Sequence, residues 1–303
     1  MYDVIIVGAG PAGLTSAIYA GRSRLKTMVL EKSIVGGQLM LTENIENFPG
    51  FVGGISSQDL IDKMHKQAED FGAEFKNEEV KKITLESDFK QIHTSSNKYQ
   101  TKSIIIATGA HYKRLGVPGE DRLIGRGVSY CATCDGPLFK DKVVAVIGGG
   151  NTAATEALFL AKFAKIAYLV HRRDKLRATK ILEEYMVKTK KIKFILKTVV
   201  TEILGKDRLQ QLKLKEVNSG KEELLNCDGM FVFVGLEPNT KFLAGLVNLD
   251  SKGYIITDEQ LQTSVNGIFT AGDCRLKTLR QVVTACADGA IAAFSAESFL
   301  SKL

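Results

Sequence analysis

The sequence has no tryptophan, only four histidines in 303 residues, and five cysteines, an odd number. An odd count in a chain without a secretory segment excludes a structural disulfide framework, so paired cysteines here point to catalysis or metal. The four dispersed histidines offer little to a metal centre. Lysine and arginine number 41 against 34 acidic residues, giving a net charge of +7 and a pI near 9.0. Such a balance fits nucleic acid, an anionic cofactor or an acidic protein partner. Nucleic acid is disfavoured because no aromatic run interleaves the basic residues. The densest cluster, Lys188, Lys190, Lys191 and Lys193, reads as a solvated helix end.

Long apolar runs are missing too. Met1 leads almost at once into Asp3-Val4-Ile5-Ile6-Val7 with no basic region or cleavage site, and no stretch is seen to approach the ~18 residues of a membrane span. A cytoplasmic protein without a membrane segment is expected. What is present is glycine, 28 residues of it, and enough chain for about two domains of ~150 residues.

The first segment reads strand, glycine turn, helix: Val4 to Val7, then Gly8-Ala9-Gly10-Pro11-Ala12-Gly13, then Leu14 to Ala20. Glycines let the backbone turn and approach a pyrophosphate, to which the helix N-terminus offers free N–H groups. The next strand, Thr27 to Leu30, ends in Glu31, an acid suited to an adenosine ribose with free hydroxyls. An ungapped shift of 140 residues carries Gly8 onto Gly148 and repeats the pattern as Gly148-Gly149-Gly150-Asn151-Thr152-Ala153. The same shift carries Glu31 onto His171, followed by Arg172, Arg173 and Arg177. A carboxylate there repels a 2′-phosphate, whereas guanidinium groups bind it. The first site therefore reads as FAD or NAD, the second as NADP.

Each copy continues into an alternating, meander-like stretch, around Ile83 to Thr94 and Val199 to Val217, and then a buried strand ending at Gly109 or Gly235. An amphipathic helix through Leu60, Ile61, Met64, Ala68 and Phe71 has Ser57 as its expected N-cap and Gly72 as its stop. Beyond Phe242 there is no third fingerprint, yet the strand Gly267 to Ala271 needs a partner. We therefore expect an α/β chain of two Rossmann-like dinucleotide-binding domains, each with a small β-meander, the second inserted into the first. Residues 1–113 and 242–303 form the first domain and 114–241 the second, joined by two parallel linkers that make a hinge.

Cys131-Ala132-Thr133-Cys134-Asp135-Gly136 precedes the second fingerprint. Structural zinc needs four ligands, and this chain has one CxxC without histidine spacing, so no metal is expected. A two-residue spacer permits reversible disulfide closure, with Asp135 placed to move the accompanying proton or simply to form a turn before Gly136. Cys227, Cys274 and Cys286 read as small packing residues.

With these features assembled, the chain resembles the low-molecular-weight, bacterial-type thioredoxin reductases from end to end. The resemblance rests on both fingerprints, Gly36-Gly37-Gln38-Leu39 running to Glu46-Asn47-Phe48-Pro49-Gly50, Ala107-Thr108-Gly109, and Cys131 to Gly136. It continues through His171-Arg172-Arg173-Asp174, Pro238-Asn239-Thr240, Gly272-Asp273 and Arg280-Gln281. It implies a homodimer that binds FAD in the discontinuous domain and NADPH in the inserted one. Gly37, Gln38, Asn47, Thr108, Gly109, Gly272, Asp273, Arg280 and Gln281 are then the additional FAD-binding positions. Cys134 faces the flavin, Cys131 attacks the disulfide of thioredoxin, Asp135 is the acid-base residue, and a rotation of the inserted domain presents the dithiol. Ferredoxin–NADP reductases of similar architecture lack the CxxC, and peroxiredoxin-reductase relatives carry an additional N-terminal region. Cys274 and Cys286, in the C-terminal flavin segment, are the departures from the pattern.

Overall fold

The computed structural model describes residues 1–41, 44–45 and 47–303, without the side chains of residues 41, 44, 133 and 134. Glu46 of the sequence pattern thus lies outside the described residues, as does the side chain of Cys134. The chain divides into two units: Met1–His111 with Glu237–Leu303, and Tyr112–Leu236.

In chain order the first unit opens with β1 (Tyr2–Val7), α1 (Pro11–Arg22), β2 (Thr27–Glu31), β3 (Asn44–Ile45) and β4 (Ile55–Ser56). It continues with α2 (Ser57–Asp70), β5 (Glu74–Asn77), β6 (Val80–Leu85), β7 (Lys90–Thr94), β8 (Lys98–Ile106) and β9 (Ala110–Tyr112). The second unit holds α3 (Glu120–Leu123), β10 (Val128–Ser129), α4 (Ala132–Asp135), β11 (Val143–Ile147), α5 (Asn151–Leu160), β12 (Ile166–Val170) and α6 (Lys180–Lys188). After it come β13 (Ile192–Ile195), β14 (Thr198–Leu204), β15 (Gln211–Glu216), β16 (Glu222–Asn226) and β17 (Gly229–Val232). The chain returns through β18 (Leu236–Pro238) and completes the first unit with β19 (Ile268–Thr270) and α7 (Val282–Leu300).

The strand expected at Gly267 to Ala271 is β19, and it finds its partner in the first unit. There β5, β2, β1 and β8 run parallel, and β19 adds itself to β8 with Ile268 opposite Ile104. One edge of β8 serves two neighbours in succession, since Lys98 to Thr101 pair antiparallel with β7 and Ile104 to Ile106 pair with β19. The meander of this unit is therefore an extension of the parallel sheet. In the second unit it is a separate sheet, β14-β15-β16, beside the parallel sheet β10-β17-β11-β12-β13.

Parallel strands buried on both faces read as unbroken apolar runs, and β1, β8 and β11 follow that rule with Val4, Ile5, Ile104, Ile105, Val144 and Val146 fully buried. One face of the first sheet is covered by α1, α2 and α7, while the other packs against Leu243, Val247 and Ile255. The N-cap of α2 lies one residue earlier than expected: it is Ser56, its Oγ accepting the Asp59 N–H at 3.0 Å, while Ser57 is the first residue of the helix. The stop at Gly72 has φ of +88°, a conformation glycine adopts without a Cβ penalty.

The two compact units divide at 111/112 and 236/237, where the expected domain limits are 113/114 and 241/242. The return segment is drawn back early because Asn239 N–H bonds the Gly109 carbonyl at 3.0 Å and its amide donates to the Thr108 carbonyl at 2.8 Å. Helix α7, with 19 residues, is also long and apolar enough to span a membrane by length and composition. Asp288 and Glu297 interrupt it, so it forms no long uncharged run in the sequence. In the fold α7 is a packing helix of the first unit: Gly289 lies against Ala12 of α1, where a Cβ would come within 2.3 Å of the Ala12 carbonyl oxygen. Its buried Asp288 pairs with Lys277 at 2.7 Å and Arg275 at 3.2 Å.

Candidate functional site

In the first unit the fingerprint sits between β1 and α1, where the strand order reverses direction on either side of β1. Open α/β sheets bind ligands at such a switch point. Glycine at position 8 is demanded by the fold, with φ of +107° and a Cβ that would lie 2.4 Å from the Ala107 carbonyl oxygen. Position 13 is tighter still, at 1.8 Å from the Gly8 carbonyl oxygen. Gly10 differs. Its φ is an ordinary −76°, and the nearest atom to a Cβ there is 4.0 Å away. Nothing in the fold requires its glycine, but a pyrophosphate lying against the backbone does. Pro11 and Ala12 open α1, whose N-cap Gly10 makes no side-chain bond, so the cap supplies no acceptor to the free N–H groups of the first turn.

Glu31 holds the turn as well as offering a ribose ligand. Its Oε2 accepts the Ala9 N–H at 2.8 Å and its Oε1 accepts the Ser33 N–H at 3.0 Å, leaving one lone pair on each oxygen. A cavity of about 300 Å³ opens beside it, lined by Gly8, Glu31, Lys32, Val80, Thr108, His111 and Phe242. Gly36 N–H bonds the Ala9 carbonyl at 2.8 Å, which brings Gly37 and the exposed Gln38 to the same turn. Asn47, distant in sequence, donates its amide to Oε1 of Gln281 at 3.0 Å, and Gln281 caps α7. Thr108 donates to the Asn239 carbonyl at 2.8 Å, and Gly109 has φ of +65°.

Gly272 and Asp273 follow β19. The Gly272 N–H donates to Asp288 at 3.0 Å, and a Cβ there would come within 2.9 Å of Ala12. Asp273 Oδ1 is buried with no hydrogen-bond partner, and so is Nε of Arg280, whose guanidinium lies 4.3 Å over the Tyr254 ring. Burial raises the Asp273 pKa, opposed by Lys277 and Arg280. A carboxyl kept buried and unpartnered is costly unless a ligand completes it. The open Gly10 cradle and the orphaned Asp273 oxygen both fit a dinucleotide with a polyol chain, as in FAD.

Two predictions follow from this geometry. Gly10→Ala is expected to fold with an unchanged melting temperature and to retain FAD at least ~10-fold more weakly, whereas Gly13→Ala yields no folded flavoprotein; thermal melting and flavin retention on gel filtration distinguish them. A carboxyl whose pKa is raised in the fold favours folding below its unfolded value and loses that contribution as pH rises through the folded value. Asp273→Asn should therefore raise the apoprotein melting temperature by roughly 3 °C at pH 7, less at pH 4, while weakening FAD. An unchanged pH dependence of melting would remove Asp273 from this account.

The second unit repeats the cradle with its own details. A Cβ at Gly148 would meet the Phe233 carbonyl oxygen at 2.6 Å, and one at Gly149 the His171 ring at 2.3 Å, while at Gly150 nothing lies within 4 Å. Asn151 and Thr152 begin α5, and Ala153 is buried beneath the turn. The segment after β12 folds back over this turn: Arg177 N–H bonds the Gly149 carbonyl at 2.6 Å and Thr179 N–H bonds Oδ1 of Asn151 at 2.9 Å. Arg172, Arg173 and Arg177 are exposed. His171 is placed differently from the arginines, with its ring buried against Gly149 and Nε2 unpartnered. Burial and the Arg177 charge lower its pKa, which favours a neutral imidazole.

Between β10 and β11 lies the cysteine segment. Cys131 is disulfide-bonded and caps the short helix α4, which ends at Asp135. Oδ2 of Asp135 accepts a hydrogen bond from Ser129 Oγ at 2.6 Å, a partner the motif does not announce. Tyr130, immediately before Cys131, donates its hydroxyl to buried Glu120 at 2.7 Å; Glu120 also accepts the Leu115 and Gly116 N–H groups. Cys227, Cys274 and Cys286 carry free thiols. Burial pushes the Cys227 thiol up to about 12 and raises the other two, so all three are poor nucleophiles at neutral pH.

Two nucleotide cradles and a disulfide beside an acid define a class of protein: the chain belongs to the pyridine nucleotide-disulphide oxidoreductase family, whose model matches residues 2–289. It is an oxidoreductase that uses FAD and NADPH. More particularly, it is similar to thioredoxin reductase of Listeria innocua, 45% identical across 100% of this chain and 95% of that one. Thioredoxin reductase of Treponema pallidum is also 45% identical, with coverage of 100% and 98%. Among solved structures, thioredoxin reductase from Streptococcus pyogenes superposes with a TM-score of 0.90 at 44% identity, covering 100% of this chain and 99% of that one.

Proposed function

We propose that this protein is a homodimeric cytoplasmic thioredoxin-disulfide reductase, in which electrons of NADPH reach the Cys131–Cys134 disulfide and then oxidised thioredoxin. The observation that carries this reading is the disulfide at Cys131, one turn from Asp135 and in a unit with its own nucleotide cradle. Among the described side chains Cys227, Cys274 and Cys286 are free, and the CxxC spacing with the resemblance to thioredoxin reductases assigns Cys134 as the partner of Cys131. FAD, when bound, supplies the two-electron carrier that a nicotinamide needs to reduce a disulfide. In the first unit Gly10, Glu31, Asn47, Asp273, Arg280 and Gln281 hold it. In the second, Gly150 and the α5 N-terminus take the NADPH pyrophosphate, and Arg172, Arg173 and Arg177 its 2′-phosphate.

The reaction balances as NADPH, one proton and oxidised thioredoxin giving NADP⁺ and dithiol thioredoxin. Once reduced, Cys131 attacks one sulfur of thioredoxin as a thiolate, forming a mixed disulfide and releasing the other sulfur, which takes up a proton. Cys134 then attacks the Cys131 sulfur, regenerating the intramolecular disulfide and expelling the second thioredoxin thiolate to be protonated. Asp135 exchanges protons with these sulfurs. Dimerisation has a physical motive in α7, whose exposed Val283, Ala287, Ile291 and Phe294 make an apolar stripe along one face.

The test is NADPH oxidation by the purified flavoprotein with oxidised thioredoxin, beside Cys134→Ser. Turnover by the wild type alone supports the reading. If NADPH bleaches the flavin while thioredoxin remains oxidised, the acceptor is another disulfide and the thioredoxin assignment fails.

A further inference from the structure

Resting on that reading, we propose that Ser129 is a positioning residue for Asp135: its hydroxyl holds the carboxyl in both protonation states while Asp135 exchanges protons with the dithiol. Ser129 ends β10, paired in register with Phe231 of β17, and is 6% exposed. It is thus fixed by the sheet, whereas Asp135 stands at the end of a helix of only four residues. Three bonds knit the two together around the Cys131 backbone. The Cys131 N–H donates to Ser129 Oγ at 3.1 Å, the Asp135 N–H donates to the Cys131 carbonyl at 3.1 Å, and Ser129 Oγ donates to Asp135 Oδ2 at 2.6 Å.

A hydroxyl has one proton and two lone pairs. The Cys131 N–H occupies one lone pair, and two acceptors lie within reach of the proton: Asp135 Oδ2 at 2.6 Å and the Cys131 carbonyl at 3.3 Å. With Asp135 ionised, the proton points to the carboxylate, forming the shorter, charge-assisted bond. With Asp135 protonated on Oδ2, the carboxyl donates to the free lone pair of Ser129 and the hydroxyl proton turns to the Cys131 carbonyl. No heavy atom has to move. The carboxyl is therefore held beside the cysteine segment through a proton-transfer cycle, with every partner satisfied in both states.

The experiment is a double-mutant cycle on the holoenzyme. Ser129→Ala should lower kcat with thioredoxin about tenfold at unchanged KM for NADPH, and Ser129→Thr, which retains the hydroxyl, should restore it to within about threefold. On an Asp135→Asn background the same Ser129→Ala change should cost less than about twofold, because the group it positions is gone. Ser129→Ala turning over like the wild type, or costing the full tenfold on that background, would overturn the proposal. The rate of Cys131 alkylation by iodoacetamide after reduction with dithiothreitol is read in the same four proteins and should show the same non-additivity. That rate needs no thioredoxin. A wild type inactive toward thioredoxin would therefore sink the functional reading and leave the Ser129–Asp135 coupling to be decided by alkylation.

Discussion

Cys131→Ser is expected to keep its FAD and the fast reduction of flavin by NADPH, and to lose thioredoxin reduction by at least about a thousandfold. The expectation follows from where the reducing chemistry is divided. The first unit contains the cradle with the orphaned Asp273 oxygen and open Gly10 position, and neither involves the cysteine segment. Cys131 itself is disulfide-bonded in the second unit. The remaining thiols cannot stand in, because burial raises the pKa of Cys227, Cys274 and Cys286 and so suppresses their thiolates. Stopped-flow absorbance follows the flavin step and insulin turbidity or NADPH absorbance follows the thioredoxin step. If Cys131→Ser still reduced thioredoxin within tenfold of the wild type, the dithiol would not be the route.

The second large effect concerns which nicotinamide cofactor is used. Arg172→Ala with Arg173→Ala should raise KM for NADPH about 100-fold and that for NADH no more than about threefold. Each charge-assisted bond to a phosphate contributes roughly 1.5–3 kcal/mol, and two at the low end give about 3 kcal/mol, close to two powers of ten. Arg177 stays in the double variant and keeps part of the phosphate site, its backbone tied to Gly149. His171 is left out of this prediction because its neutral, buried ring packs on Gly149. Equal losses for NADPH and NADH would place the arginines elsewhere than at the 2′-phosphate.

The parts of this account legible in the sequence are those set by short-range backbone geometry. A strand, a glycine turn and a helix need particular residues within a few positions, so both cradles could be read and distinguished by Glu31 against Arg172 and Arg173. The CxxC was legible for the same reason. Insertion of one unit into the other followed from the unpartnered strand that became β19. What could not be read depends on residues distant in sequence or ambiguous in type. A serine two positions before a cysteine, like Ser129, has no signature until β10 and α4 bring it to Asp135. Asn47 and Gln281 were both expected to touch the flavin, but their contact with each other spans 234 residues. His171 begins the basic segment, and only the alternation of β12 turns its ring inward. Glu31 was read as a ribose ligand, whereas its bonds to Ala9 and Ser33 also make it a brace for the loop.

The central claim is that NADPH electrons arrive at the disulfide, and counting thiols tests it most directly. Of the five cysteines, three are free and Cys131 is bonded among the described side chains, with Cys134 its proposed partner. Titration of the denatured protein with a thiol reagent should give three thiols per chain before anaerobic addition of excess NADPH to the native flavoprotein, and five after it. A count that stays at three while NADPH bleaches the flavin would contradict the account, since the electrons would then stop short of the cysteines.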